Sequence, residues 1–191
     1  MPGQLSFFTA GVRPPAVDDL DGVLLGIAQL VRLGGTARLS VLVDQPWRVE
    51  AILTAYAERG LRGAAVPTGE GMTTVRTPFT KALLPCAERW VRGAVKSVPA
   101  GFALDGTRLR LWAMGAGRRD DHGYLFRLSP HDPAVWEPAG AALAAFGLTA
   151  SFLGPRADGP AYRITGRRRS ARLREFVGDP PAGAGDIDWP G

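Results

Sequence analysis

PWRVEAILTAYAERGL (residues 46–61) and PAVWEPAGAALAAFGL (residues 133–148) align without a gap. Pro46 matches Pro133, Glu50 matches Glu137, and Gly60-Leu61 matches Gly147-Leu148. Each is an apolar helical run that opens on proline and closes on glycine. Proline loses nothing in the first helical turn, and glycine accepts the left-handed conformation that ends a helix. Asp44 and Asp132 stand where N-caps are expected. The chain therefore reads as an internal duplication.

The match extends in both directions. Leu20-Asp21-Gly22 corresponds to Leu104-Asp105-Gly106, and each opens an apolar helix predicted to run to about Leu33 and about Gly117. A glycine turn follows in each half, Gly34-Gly35 in one and residues 117–123 in the other, then a strand over 37–43 or 124–129. After the matched helices come two short strands, 62–67 and 73–77 against 149–154 and 161–165, and a last helix, 79–92 or 168–177. Each half is predicted as helix, strand, helix, strand, strand, helix, joined by a linker over 93–103. The predicted division is an N-terminal extension at 1–17 with one strand around 5–9, repeats at 18–98 and 99–178, and a loose or draped acidic Pro/Gly tail at 179–191.

Composition bounds the function. The chain has 191 residues, 46% hydrophobic, which suits one ordinary domain with a real core and excludes wholesale disorder. Net charge is +5, and the isoelectric point is about 10.1. Lys81 and Lys96 are the only lysines, so 21 of the 23 basic residues are arginine. The codon bias of a GC-rich genome explains part of this, and a polyanionic partner is the functional alternative. The longest apolar run, 22–31, is interrupted by Gln29 and falls short of the roughly 20 residues that span a bilayer. No secretory signal opens the chain, so a cytoplasmic location is expected. Cys86 reads as a small buried hydrophobe. His122 and His131 have no cysteine nearby, so neither a metal site nor a cofactor is expected.

Side chains alternate along a strand, so each strand has two faces. Leu39, Val41 and Val43 are predicted inward, with Arg38, Ser40 and Leu42 outward. Tyr124, Phe126 and Leu128 are predicted inward, leaving Leu125, Arg127 and Ser129 outward. Thr74 and Arg76 flank an inward Val75, and Arg163 lies between inward Tyr162 and Ile164. Each of these four strands thus places an arginine outward, as a solvated sheet or a groove-lining sheet would. Gly22, Gly26 and Ala28 in the first helix, and Ala113, Gly115 and Ala116 in its counterpart, would let those two helices pack closely across a pseudo-twofold axis.

This order of elements resembles the LAGLIDADG homing-endonuclease fold, with LLGIAQLVRLGG (24–35) and LRLWAMGAGRRDDHG (109–123) as the motif segments and YRITGRRRSARLREFVG (162–178) as the closing strand and helix. The resemblance implies an α+β fold of two repeats, with antiparallel sheets carrying helices on one face and forming a saddle on duplex DNA. In that family a carboxylate before the motif's last glycine, at the bottom of each helix, holds the catalytic Mg²⁺. Aligned by the glycines, Gly34 or Leu33 and Ala116 or Gly117 take those places, and none is an acid. Space is predicted for only one strand after each motif helix, where the family has a long hairpin. A non-cutting version of this fold is found in WhiA-type regulators, and the chain resembles their N-terminal domain.

The resemblance and the arginines together imply a non-catalytic protein that binds duplex DNA, a transcription or chromosome-associated regulator. It would be nucleoid-associated, without a membrane partner, and monomeric because the repeat supplies its own pseudo-dimer. The DNA contacts are expected from Arg38, Ser40, Thr74, Arg76, Arg118, Arg119, Arg127 and Arg163, with the Arg167-Arg168-Arg169 run on phosphates. Seven arginines between 155 and 178 are opposed only by Asp158 and Glu175. Two rivals stay open: a residual Mg²⁺-dependent nuclease using Asp105, Asp120 or Asp121, and a protein-interaction module with a patch around Trp47, Trp90, Trp136 or Trp189.

Overall fold

A computed structural model describes residues 13–156 and 159–191; the strand expected around 5–9 lies outside them. A 3₁₀ turn (Val17–Leu20) leads into α1 (Asp21–Leu24). The first half continues with β1 (Gln29–Leu33), β2 (Thr36–Val43), α2 (Pro46–Ala57), β3 (Ala64–Gly69), β4 (Met72–Arg76) and α3 (Leu84–Trp90). A small hairpin, β5 (Val91–Arg92) and β6 (Val95–Lys96), replaces the end of the helix expected over 79–92 and opens the expected linker. The second half comprises α4 (Gly106–Ala116), β7 (Gly117–Asp120), β8 (Gly123–Arg127), α5 (Pro133–Ala145), β9 (Ser151–Leu153), β10 (Ala161–Ile164) and α6 (Arg167–Val177).

The two large antiparallel sheets have the same strand order, β1-β2-β4-β3 and β7-β8-β10-β9. Leu33 pairs with Thr36 across the first hairpin, and Asp120 pairs with Gly123 across the second. These pairs are 87 positions apart, the same offset that relates Pro46 to Pro133. Two repeats are thus related by a pseudo-twofold axis, which passes between α1 and α4. A Cβ on Gly22 would overlap the Arg108 carbonyl, and one on Gly26 would lie 2.8 Å from the Ala116 Cβ. The small residues expected at this crossing are what bring the two helices together.

Three expectations are corrected. The first helix ends at Leu24 and not near Leu33, because Gln29–Leu33 pairs residue by residue with β2. Each motif helix therefore runs into a complete hairpin, where one strand was expected. The last helix of the first half begins at Leu84 after a 3₁₀ turn (Lys81–Leu83) capped by Thr80, because Phe79 is drawn to Arg38 on the sheet. The N-cap of α2 is Gln45, and Asp44 instead turns toward Arg48.

The core lies between the helices and the inward sheet faces. Leu39, Val41, Val43, Val75, Tyr124, Phe126 and Ile164 are buried there, as alternation predicted. Trp112 packs on Phe126, and Trp90 on Phe102. Trp47, Trp90 and Trp189 are buried, so they form no exposed patch. Cys86 is also buried, its Sγ on Asp21, and burial pushes the thiol up.

The tail is draped and firmly docked. Trp189 packs edge-on against Trp47 and donates its Nε1–H to the Gly178 carbonyl at 2.8 Å. Asp188 accepts from Trp47 Nε1, and its carbonyl accepts from Tyr124. The Arg119 amide donates to the Ile187 carbonyl. The segment lacks the regular periodicity that would have announced this docking. No helix among the described residues is long and apolar enough to cross a membrane.

Candidate nucleic-acid interface on two sheet faces

Directly paired residues share a face in an antiparallel sheet. In the first sheet Gln29, Ser40, Arg76 and Ala64 form one such row across β1, β2, β4 and β3. Val31 and Arg38 form the next, and Leu42, Thr74 and Val66 another. A concavity of about 440 Å³ on this half is lined by Arg38, Arg62, Arg76 and Phe79. The Arg38 guanidinium lies 4.5 Å from the Phe79 ring centre, a cation–π contact.

In the second sheet the outward row is Arg118, Leu125, Arg163 and Ser151. Arg127 and Ala161 form the neighbouring row. A larger hollow, about 800 Å³, is lined by Arg118, Arg127, Arg156 and Arg163 around an apolar floor of Leu125 and Leu153. Arg38, Ser40, Thr74 and Arg76 are thus gathered on one sheet face, and Arg118, Arg127 and Arg163 on the other.

Four expected residues are not brought to these faces. Arg119 pairs with Tyr124 on the inward parity, and its side chain reaches the carbonyls of Asp186 and Gly191. Arg167, Arg168 and Arg169 start α6, which packs on α4 on the helix side. Arg169 donates to the carbonyls of Thr165 and Thr149, while Arg167 lines a separate cleft with Arg119, His122 and Arg174. The strand-to-helix boundary, invisible to a charge count, turns this run away from the sheet. Conversely, Arg62 and Arg156 were not among the expected contacts. Arg62 has the parity of Ala64, which pairs with Arg76, so alternation carried one residue past the strand end would have found it.

The bottoms of the two axial helices carry Gly26, Ile27 and Ala28 in the first half and Gly115, Ala116 and Gly117 in the second. Helix C-termini leave carbonyls without partners and carry partial negative charge. A buried cation meets each end. Lys96 Nζ donates to the carbonyls of Gly26 (3.1 Å) and Ala28 (2.8 Å) and pairs with Asp132 at 3.0 Å. Arg48 donates to the carbonyls of Ala113 (3.1 Å), Met114 (2.7 Å) and Gly117. Burial pushes both cations down, opposed by Asp132 at Lys96 and by nearby acids at Arg48. Arg48, on α2 of the first half, closes the second helix, while Asp132, at the N-cap position of α5 in the second half, holds Lys96 at the first.

The Mg²⁺ that the resemblance implies does not fit here. None of the helix-end residues is an acid, the nearby carboxylates of Asp132 and Asp188 face Lys96 and Arg48, and a hard divalent cation would meet those fixed positive charges. Asp105 caps the opposite end of α4, accepting from the Arg108 amide. Asp121 is exposed in the β7–β8 turn, and Asp120 is paired with Arg163. Among the described residues no three His, Cys, Asp or Glu side chains cluster to hold a metal.

This architecture, two repeated half-sheets fanning from a close helix pair, is the LAGLIDADG fold. The homing endonuclease I-WcaI, solved bound to its DNA recognition sequence, matches with a TM-score of 0.62 at 15% identity, over 83% of this chain and 78% of that one. Full-length DUF199/WhiA from Thermatoga maritima matches with a TM-score of 0.64 at 11% identity, over 88% of this chain. The chain spans 56% of that protein's length. The N-terminal LAGLIDADG domain of DUF199/WhiA matches over 93% of this chain, with a TM-score of 0.58. No protein-family model and no curated protein matches the sequence.

Proposed function

We propose that this chain binds duplex DNA without cutting it, as a regulator or chromosome-associated protein. The carrying observation is the pair of equivalent sheet faces, each presenting three or more arginines outward: Arg38, Arg62 and Arg76 on one, Arg118, Arg127, Arg156 and Arg163 on the other. Guanidinium groups hold phosphate oxygens bidentately and read guanine edges, and Ser40 and Thr74 add hydroxyl donors between them. Similarity of fold to an endonuclease solved on its DNA supports the same reading. The buried Lys96 and Arg48 at the helix ends support binding without metal-assisted cleavage. One chain carries both halves of the pseudo-dimer, so the proposed binding unit is a monomer.

The test is a mobility or filter assay on mixed-sequence duplex at several salt concentrations. Arg76→Ala and Arg127→Ala should each weaken binding about tenfold at low salt and lower the salt slope by about 0.9 for each phosphate no longer neutralised. Arg13→Ala and Arg119→Ala should leave it unchanged. Absence of any salt-sensitive binding overturns the proposal, and Mg²⁺-dependent plasmid nicking overturns its non-cutting part.

A further inference from the structure

The second sheet face contains an acid that the first lacks. Asp120 ends β7 with the outward parity of Arg118. One carboxylate oxygen accepts the His122 amide at 2.9 Å, and the other takes the Arg163 guanidinium across the face of β8. Arg163 also lines the 800 Å³ hollow. In the first hairpin the position of Asp120 is held by Leu33. Arg38, Arg62 and Arg76 make no ion pair among the described residues. A carboxylate and a phosphate offer a guanidinium the same charge-assisted acceptors.

We propose that Asp120 is a built-in competitor for the backbone phosphate that Arg163 would hold, so that the second sheet engages DNA fully only when a phosphate displaces this carboxylate. The inference rests on the proposed DNA-binding function and adds its regulation. Free protein keeps Arg163 occupied, which lowers the affinity of the more basic half for any polyanion. A duplex must expel Asp120 and then bear its charge beside a phosphate. Asp120→Asn keeps an acceptor for the His122 amide, removes the charge and frees Arg163.

The experiment is an anisotropy titration of a labelled mixed-sequence duplex with the full chain across a salt series. Asp120→Asn should bind about tenfold more tightly at low salt, with a slope steeper by about 0.9, the value of one further phosphate neutralised. Arg163→Ala in the Asp120→Asn background should abolish that gain. Asp121→Asn adds the same net charge at an exposed position with no arginine partner and should gain less than about threefold, as screened surface charges do. Asp120→Ser provides a second variant should the asparagine fold poorly. Wild-type binding with no gain in either Asp120 variant, or an equal gain from Asp121→Asn, overturns the competitor and leaves the DNA reading standing. No binding by any variant overturns both.

Discussion

Asp19 is nearly inaccessible, yet it is charged and heavily partnered. Its carboxylate takes the Ala16 amide at 2.9 Å, Arg59 at 3.2 Å and Arg13. Burial alone would raise its pKa, but the Ala16 amide and the two guanidiniums outweigh this and hold it below the ordinary value. A carboxylate lowered by folding contributes stability above its unfolded value, about pH 4, and loses that contribution as pH falls through the lower folded value. Asp19→Asn should therefore cost about 1–2 kcal/mol at neutral pH, because Arg59 loses its buried charged partner and keeps only the Ala55 carbonyl and the exposed Glu58. That difference from wild type should shrink toward zero in acid, as urea unfolding at neutral pH and below the folded pKa would measure.

At the scale of elements, the approach of α1 to α4 governs the arrangement of both sheets. Gly22→Ala would drive a methyl into the Arg108 carbonyl, backbone that cannot rotate away. The expected cost is about 2–3 kcal/mol, read as a lowered urea midpoint, with an effect on DNA affinity through the altered angle between the sheets. Gly35→Ala, with open space around it, should cost under about 1 kcal/mol. Much at this scale was legible. The matched helices, the strands β2, β4, β8 and β10 and the inward residues Leu39, Val41, Phe126 and Ile164 follow from periodicity. The strands β1 and β7 were not legible, because Gln29–Leu33 continues an apolar helical run and Gly117–Asp120, glycine followed by three charged residues, reads as a turn. Only pairing with β2 and β8 fixes them as strands.

For the molecule as a whole, the tail joins the halves. Trp189 and Asp188 touch Trp47 on α2 of the first half, while Ile187 and Asp188 bond to β7 and β8 of the second. Arg110 lies over the Trp189 ring. Trp189→Ala should destabilise the whole cooperative unit by about 3 kcal/mol, the cost of emptying a buried indole site. A single unfolding transition, shifted as one, is the expected calorimetric result. Two separate transitions would mean that the tail does not couple the halves.

The sequence by itself determined the duplication, the α+β class, the pairing of two small-residue helices and which face of each long strand turns outward. These are local properties, because period, capping and parity depend on residues a few positions apart. The tertiary structure alone decided where the arginines outside those strands go. The Arg167-Arg168-Arg169 run lies on the helix side, Arg119 is taken by the tail, Arg156 joins the second sheet face, and Asp120 reaches Arg163. It also decided that Lys96 and Arg48 close the axial helices. A guanidinium spans several ångströms and goes to whichever acceptor the packing of distant segments presents, which no window along the chain contains.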